Sequence, residues 1–208
     1  MDEQKSLLIV EDVPGIRELL ELTLRFKGYD VISAQNGQEA LDILRDRHPA
    51  LIITDILMPR MDGFTLIYRL RTEQGTRDIP VIFLSATYVS PEDKAFATTL
   101  GASRFIEKPI DMENFLLAIT ELLDRPFASS PPPLQQEEFL EKYQVRLETK
   151  LEQKSIQIAR AERLLQTVPA HEKPGFEASL NQALAERQTI VVELERVQEI
   201  LQRRNAEQ

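Results

Sequence analysis

The chain has 208 residues, 42% of them hydrophobic, enough for one core of about 120 residues and a long remainder. It has no cysteine, which excludes disulfides and thiolate metal sites. The net charge is −9, with 14 basic against 21 acidic residues before Pro126 and 11 against 13 after it. Neither part has the Lys and Arg surplus on which duplex binding rests, so no direct nucleic-acid partner is expected.

The start, Met1-Asp-Glu-Gln-Lys5, is acidic, and only four apolar residues then stand together, Leu7 to Val10. That run is too short for a signal peptide or a membrane span. A cytoplasmic protein with no membrane partner is the expectation. Further apolar runs follow at Asp30 to Ala34, Leu51 to Thr54, Val81 to Leu84 and Arg104 to Ile106. They alternate with segments of helical period, the pattern of an α/β, doubly wound parallel sheet of five strands with crossover helices. Pro14 and Pro91 suit the first turns of helices, and Gly28 and Gly101 suit helix stops. Asn36-Gly-Gln-Glu39 has capping-box spacing, with Glu39 able to reach back to the cap amide. Asp111 is placed to cap the helix that carries Phe115, Ile119 and Leu122. The first domain is expected to span residues 1–124.

Residues 125–133, Arg-Pro-Phe-Ala-Ser-Ser-Pro-Pro-Pro, read as a short, stiff linker because prolines lack amide donors and favour extended backbone. Heptads occupy 134–208. Leu140, Gln144, Leu147, Leu151, Lys154, Ile158, Ala161, Leu165 and Val168 form one stripe. Phe176, Leu180, Ala183, Arg187, Ile190, Leu194, Val197 and Leu201 form a second. Pro169 to Gly175 separates them, so the spacing predicts an all-α antiparallel coiled-coil hairpin with Leu165 opposite Leu180 and Leu151 opposite Leu194. Leu184 and Val191 widen the second stripe beyond what a two-stranded seam uses, and a homodimer through the hairpin is the expected cover. His48 reads as a helix end. His171, in the turn, is not placed like the phosphorylated histidine of a sensor kinase.

Right-handed crossovers put every strand C-terminus on one edge, where open sheets of this kind carry their sites. Glu11, Asp12, Asp55, Ser85 and Lys108 each lie at or just past such an end. Clustered carboxylates repel one another unless a cation lies between them. Oxygen ligands without His or Cys point to a hard ion, and Mg2+ is favoured where phosphate is handled. Asp55 is then the nucleophile toward an activated phosphoryl group, with Lys108 neutralising its equatorial oxygens.

These residues resemble the receiver domains of two-component response regulators over roughly residues 5 to 124. The resemblance is carried by Glu11-Asp12, by Asp55-Ile-Leu-Met-Pro-Arg-Met-Asp-Gly63, by Ser85-Ala86 and by Lys108-Pro109, in the family's order and spacing. It implies a flavodoxin-like strand order of 2-1-3-4-5 and phosphorylation of Asp55 by a sensor histidine kinase or phosphotransfer protein. It also implies magnesium held by Glu11, Asp12, Asp55 and the Leu57 carbonyl. Ser85 would hydrogen-bond the phosphoryl group, Ser85 and Phe105 would form the switch, and Lys108-Pro109 would be cis. Glu11 stands where aspartate is commoner, and Phe105 lacks a tyrosine hydroxyl. The expected function is that of a phosphoacceptor, not a classical enzyme, with self-catalysed phosphotransfer and autodephosphorylation and an output through the hairpin. The alternatives are a constitutive dimeric scaffold, or a transcriptional regulator acting through a partner protein. A phosphatase-type site would want an acid at position 57, where leucine stands.

Overall fold

The computed structural model describes residues 5–85, 91–124, 131–169 and 172–207. Ala86, His171 and most of the expected linker, residues 125–130, lie outside the described residues. The backbone divides into two compact units, residues 1–134 and 135–208.

In the first unit, strands β1 (Ser6–Val10), β2 (Asp30–Ala34), β3 (Leu51–Asp55), β4 (Val81–Ser85) and β5 (Arg104–Glu107) alternate with five helices. These are α1 (Pro14–Phe26), α2 (Gly37–Ile43), α3 (Gly63–Thr72), α4 (Pro91–Thr99) and α5 (Met112–Asp124). All strand pairs are parallel and the order is β2-β1-β3-β4-β5, so the chain reverses its direction of winding between β1 and β3. Strands β1, β3 and β4 are apolar at nearly every position because helices cover both faces of the sheet. On one face Leu7, Ile9, Leu51, Ile53, Ile82 and Leu84 pack with Leu20 and Leu24 of α1 and Phe115 and Ile119 of α5. On the other, Phe83 meets Phe64 edge to face at 5.4 Å between centroids, and Phe64 meets Phe96 at 5.1 Å. The sheet is thereby clamped from both sides.

The punctuation is realised with one change. Pro14 opens α1, Gly28 and Gly101 adopt φ of +90° and +88°, and the Asp111 carboxylate accepts from the amides of Glu113 and Asn114. At α2 the Asn36 side chain accepts from the Glu39 amide, but the Glu39 carboxylate accepts from the amide of Gln35 rather than that of the cap residue. The longer glutamate arm reaches one residue past the ideal box.

The second unit is a helical hairpin of α6 (Gln136–Thr167) and α7 (Lys173–Glu207), 32 and 35 residues long, or about 48 and 52 Å. Helix α7 begins at Lys173 rather than after Gly175, because a proline in a first helical turn forfeits no hydrogen bond. Leu147, Ile158, Ala183, Ile190 and Val197 of the expected stripes are buried. The polar interruptions do different things: Lys154 donates to Glu186 across the hairpin at 2.7 Å, while Arg187 is exposed. Phe139 and Tyr143, one turn apart on α6 and outside the heptad stripe, are also buried and stack with ring planes 18° apart. No helix among the described residues is long and apolar enough to cross a membrane.

Candidate functional site

Strand register decides which side chains meet. Leu7 pairs with Leu51 and Ile9 with Ile53, Asp55 pairs with Leu84, and Leu84 pairs with Ile106. Side chains alternate across a sheet with period two. Continuing that alternation by a step puts Glu11, Asp55 and Lys108 on one side of the sheet edge. Phe83, Ser85 and Phe105 fall on the other.

The geometry bears this out. Glu11, Asp12 and Asp55 each offer a carboxylate oxygen within 4.8 Å of the others. The Lys108 ammonium sits among them, 2.8 Å from Glu11 Oε2 and 3.4 Å from Asp55 Oδ1. Glu11 is 0% exposed, and its other oxygen, Oε1, accepts from the Val13 amide at 3.3 Å. Lys108 reaches this point because its own amide donates to the Ser85 carbonyl at 2.6 Å, extending the β4–β5 ladder by one bond before the cis peptide to Pro109. Ser85 is buried at the end of β4. Leu57 lies half-buried in the loop two residues past Asp55.

The electrostatics follow from burial. Burial pushes the Asp55 carboxyl up from 3.8 to about 7; Lys108 opposes the rise, and Glu11 and Asp12 add to it. Burial pushes the Lys108 ammonium down, but Asp55 and Glu11 outweigh it and leave it above the ordinary lysine value. Without a further cation the site therefore disfavours the ionised form of Asp55 relative to a free carboxyl.

Three supports of the site carry no signal in a strand-and-spacing reading. The Arg17 guanidinium of α1 donates to the backbone carbonyls of Glu11, at 2.7 Å, and Asp12, at 3.4 Å, clamping the acidic turn from behind. Gly63 donates its amide to the Ile56 carbonyl at 2.8 Å. A Cβ at that position would lie 2.3 Å from the Asp55 carbonyl oxygen, so only glycine lets α3 start so close to the end of β3. Asp62 caps α3 by accepting from the Thr65 amide at 2.8 Å. The dipeptide Asp62-Gly63 was visible in the sequence as part of a motif; its physical task is to hold the loop that presents Asp55.

The aromatic position of the expected switch stands beside the site. Phe105 is half-buried, 6.3 Å from the Phe83 ring, with the Lys94 ammonium 5.8 Å from its centroid. Lys94 also pairs with Glu107.

A doubly wound parallel sheet with three carboxylates and a lysine grouped at its carboxyl edge is the class of fold and site that the sequence resemblance implies. Comparison with known proteins gives the family. The profile described as response regulator receiver domain matches residues 7–120, more than half of the chain. The chain belongs to the response regulator receiver domain family. It is 36% identical over 145 residues to the response regulator Rre1 of Synechocystis, covering 69% of this chain and 62% of that protein. It is 37% identical over 119 residues to RpaA of Synechocystis, whose name describes a DNA-binding dual master transcriptional regulator, covering 57% and 49%. Thus the chain spans about half to three-fifths of the length of these curated relatives. Among solved structures, the chemotaxis response regulator CheY4 of Vibrio cholerae superposes with a TM-score of 0.55 at 31% identity, covering 58% of this chain and all of that one. The signal receiver domain of a histidine kinase from Syntrophus aciditrophicus gives 0.54 at 35% identity, covering 61% and 98%.

The donor set fits a magnesium ion: three carboxylates with no nitrogen or sulfur donor in the group, one of them, Asp55, raised chiefly by burial and further by the neighbouring acids.

Proposed function

We propose that residues 1–124 accept a phosphoryl group on Asp55 from the phosphohistidine of a sensor kinase or phosphotransfer protein, and that residues 134–208 pass the signal on through the helical hairpin. The observation that carries this reading is the Asp55 carboxylate at the end of β3, with carboxylate oxygens of Glu11 and Asp12 and the Lys108 ammonium grouped around it. In the transfer, an Asp55 oxygen forms the new P–O bond as the P–N bond breaks, and the imidazole leaves with a proton. Lys108 holds positive charge beside the oxygens that gain negative charge. Asp12, Asp55, the Leu57 carbonyl and Glu11 would hold magnesium, which supplies charge neutralisation and orientation of the phosphoryl oxygens when bound. Ser85 would donate its hydroxyl to the phosphoryl group. Packing between Phe105 and Phe83 would carry the change toward α4.

A macromolecular donor has to seat beside the site. Helix α1 begins just past the acidic turn and exposes Leu19, Leu22 and Phe26, spaced three and four residues apart on one face, which supports an apolar docking surface for the donor on this helix. The hairpin exposes Val145, Ile156, Leu184 and Val192, which supports a homodimer as the output. A cytoplasmic setting follows from a kinase-fed receiver. Direct DNA binding by the tail is disfavoured by its acidic balance, 11 basic residues against 13 acidic.

The test is intact-mass spectrometry after incubation with magnesium and acetyl phosphate. One added phosphoryl group on the wild type and none on Asp55→Asn supports the reading. An equal gain in both would overturn it.

A further inference from the structure

Crossover helices run back against their strands, so α3, α4 and α5 all end at the sheet edge opposite the acids. A buried cation stands at that edge. Arg71, in the last turn of α3, is 2% exposed and donates from Nη2 to the carbonyl of Gly101, just past α4, at 2.8 Å. Its Nε and Nη1 are buried with no hydrogen-bond partner among the described residues. Burial pulls the guanidinium down from 12.5 to about 10, and Asp78 opposes that fall. Gly101 has φ of +88° and no Cβ, and the point that a Cβ would occupy is crowded from two sides. Arg71 Nε lies 2.9 Å from that point, and Cδ and Cγ of Pro131 lie 3.1 and 3.2 Å from it. The Pro131 ring therefore packs on the bare backbone of Gly101. The division of the backbone agrees, since residues up to Leu134 belong with the first unit and Leu134 is half-buried.

We propose that the ends of α3 and α4 are a docking site for this chain's own proline segment, residues 131–133: Gly101 supplies the bare surface, Arg71 fixes it through its carbonyl, and the docked prolines anchor the tether of the hairpin to α4. The occupant suits the site. Consecutive prolines are already stiff, so little freedom is lost on docking, and they bring no amide that would need a partner. Glycine is required at 101 twice over, for its positive φ and because any side chain would lift the proline ring away. Arg71 makes the contact reversible. Its Nε borders the docked ring without a partner, and lifting the ring would give that N–H water, which offsets part of the gain from burying the ring. Helix α4 also carries Phe96, which meets Phe64, which in turn meets Phe83 of β4. A shift of α4 against the sheet would thus reach the tether through Gly101 without passing along α5. This docking stands independently of the phosphotransfer proposed above.

The experiment uses the full chain, which has no cysteine of its own, so an introduced pair has no competing thiol. Gly101→Cys with Pro131→Cys, under mild oxidation, is expected to close an intrachain disulfide, read by mass spectrometry of the tryptic peptides. Gly75→Cys with Pro131→Cys is the reference, because nothing lies within 4 Å of a Cβ at Gly75, and its yield should be lower by about tenfold. Equal yields from the two pairs would overturn the proposal. A cysteine at the positive φ of Gly101 is strained, so a second measurement leaves Gly101 intact. Phenylglyoxal labelling compares Arg71 with Arg45, whose side chain is 74% exposed. Pro131→Gly, Pro132→Gly and Pro133→Gly together should loosen the segment and raise the labelling rate of Arg71 relative to Arg45 by at least about threefold. An Arg71 to Arg45 ratio unchanged from wild type would mean that the prolines do not cover the arginine, and would overturn the docking site.

Discussion

The two units hold their polar residues for opposite reasons. In the receiver unit the acids and Lys108 are gathered at the end of an otherwise apolar sheet, where burial raises Asp55 to about 7 and the ion pair between Lys108 and Glu11 is largely shut from water. In the hairpin the charges lie mainly along the outside, and the ion pair of Lys154 with Glu186 bridges two helices that the apolar stripe already joins. Removing a polar group should thus change chemistry in the first unit and only modest amounts of stability in the second. Chemistry is concentrated where solvent is excluded.

The largest test of that contrast is metal binding. Asp12→Ala should weaken magnesium by at least about tenfold, whereas Lys108→Ala should not weaken it, because a cation is being removed from beside the ion. Calorimetry that found equal losses would erase the assigned roles.

Next comes the support beneath Asp55. Gly63→Ala places a methyl 2.3 Å from a backbone carbonyl that cannot swing aside, so a loss of roughly 2 kcal/mol or more in urea unfolding is expected. At Gly75 the space a methyl would enter is open to 4 Å, and alanine there should be tolerated within about 0.5 kcal/mol. Similar costs at both would mean that the close approach of α3 to β3 is not what fixes the loop.

Asp55 itself should carry a pH signature. Its folded-state value of about 7 lies above its ordinary 3.8, so between those limits the folded protein binds a proton that the unfolded chain does not. Stability must then fall as pH rises through that window, by an amount of order 1 to 4 kcal/mol. Without divalent cations, Asp55→Asn should melt higher than wild type at pH 8 and alike near pH 4. Parallel melting curves at the two pH values would show that the cluster does not strain Asp55.

The smallest effects belong to the hairpin. Leu184 is 41% exposed and Val191 half-buried, so Leu184→Glu with Val191→Glu should leave the tail helical by circular dichroism while shifting a dimer toward monomer in light scattering. A wild-type chain that is monomeric at tens of micromolar would move this face to a different protein partner.

The unequal legibility of the two units has the same origin. A strand end fixes where a side chain goes, so Asp55, Ser85 and Lys108 could be placed from apolar runs alone, and register then brought Glu11 to Lys108. Contacts made by long arms were not legible. Arg17 reaches back five and six residues to two carbonyls, and Glu39 overshoots its box to Gln35, because several rotatable bonds separate the backbone from the charge. Gly63 stood in the motif, yet its reason is a backbone approach that exists only once α3 has docked. In the hairpin, heptads located the stripe but missed the Phe139 and Tyr143 stack beside it. They also placed the start of α7 too late, since Pro174 and Gly175 look like a turn and are compatible with a first helical turn.

The most direct measurement is the chemical identity of the phosphorylated residue. After incubation with acetyl phosphate and magnesium, borohydride reduces an acyl phosphate on aspartate to homoserine, which peptide sequencing by mass spectrometry locates. Homoserine at position 55, absent without phosphodonor, is the predicted result. Its appearance at Asp12 or another acid, with Asp55 left intact, would contradict the assignment of Asp55 as the phosphoacceptor.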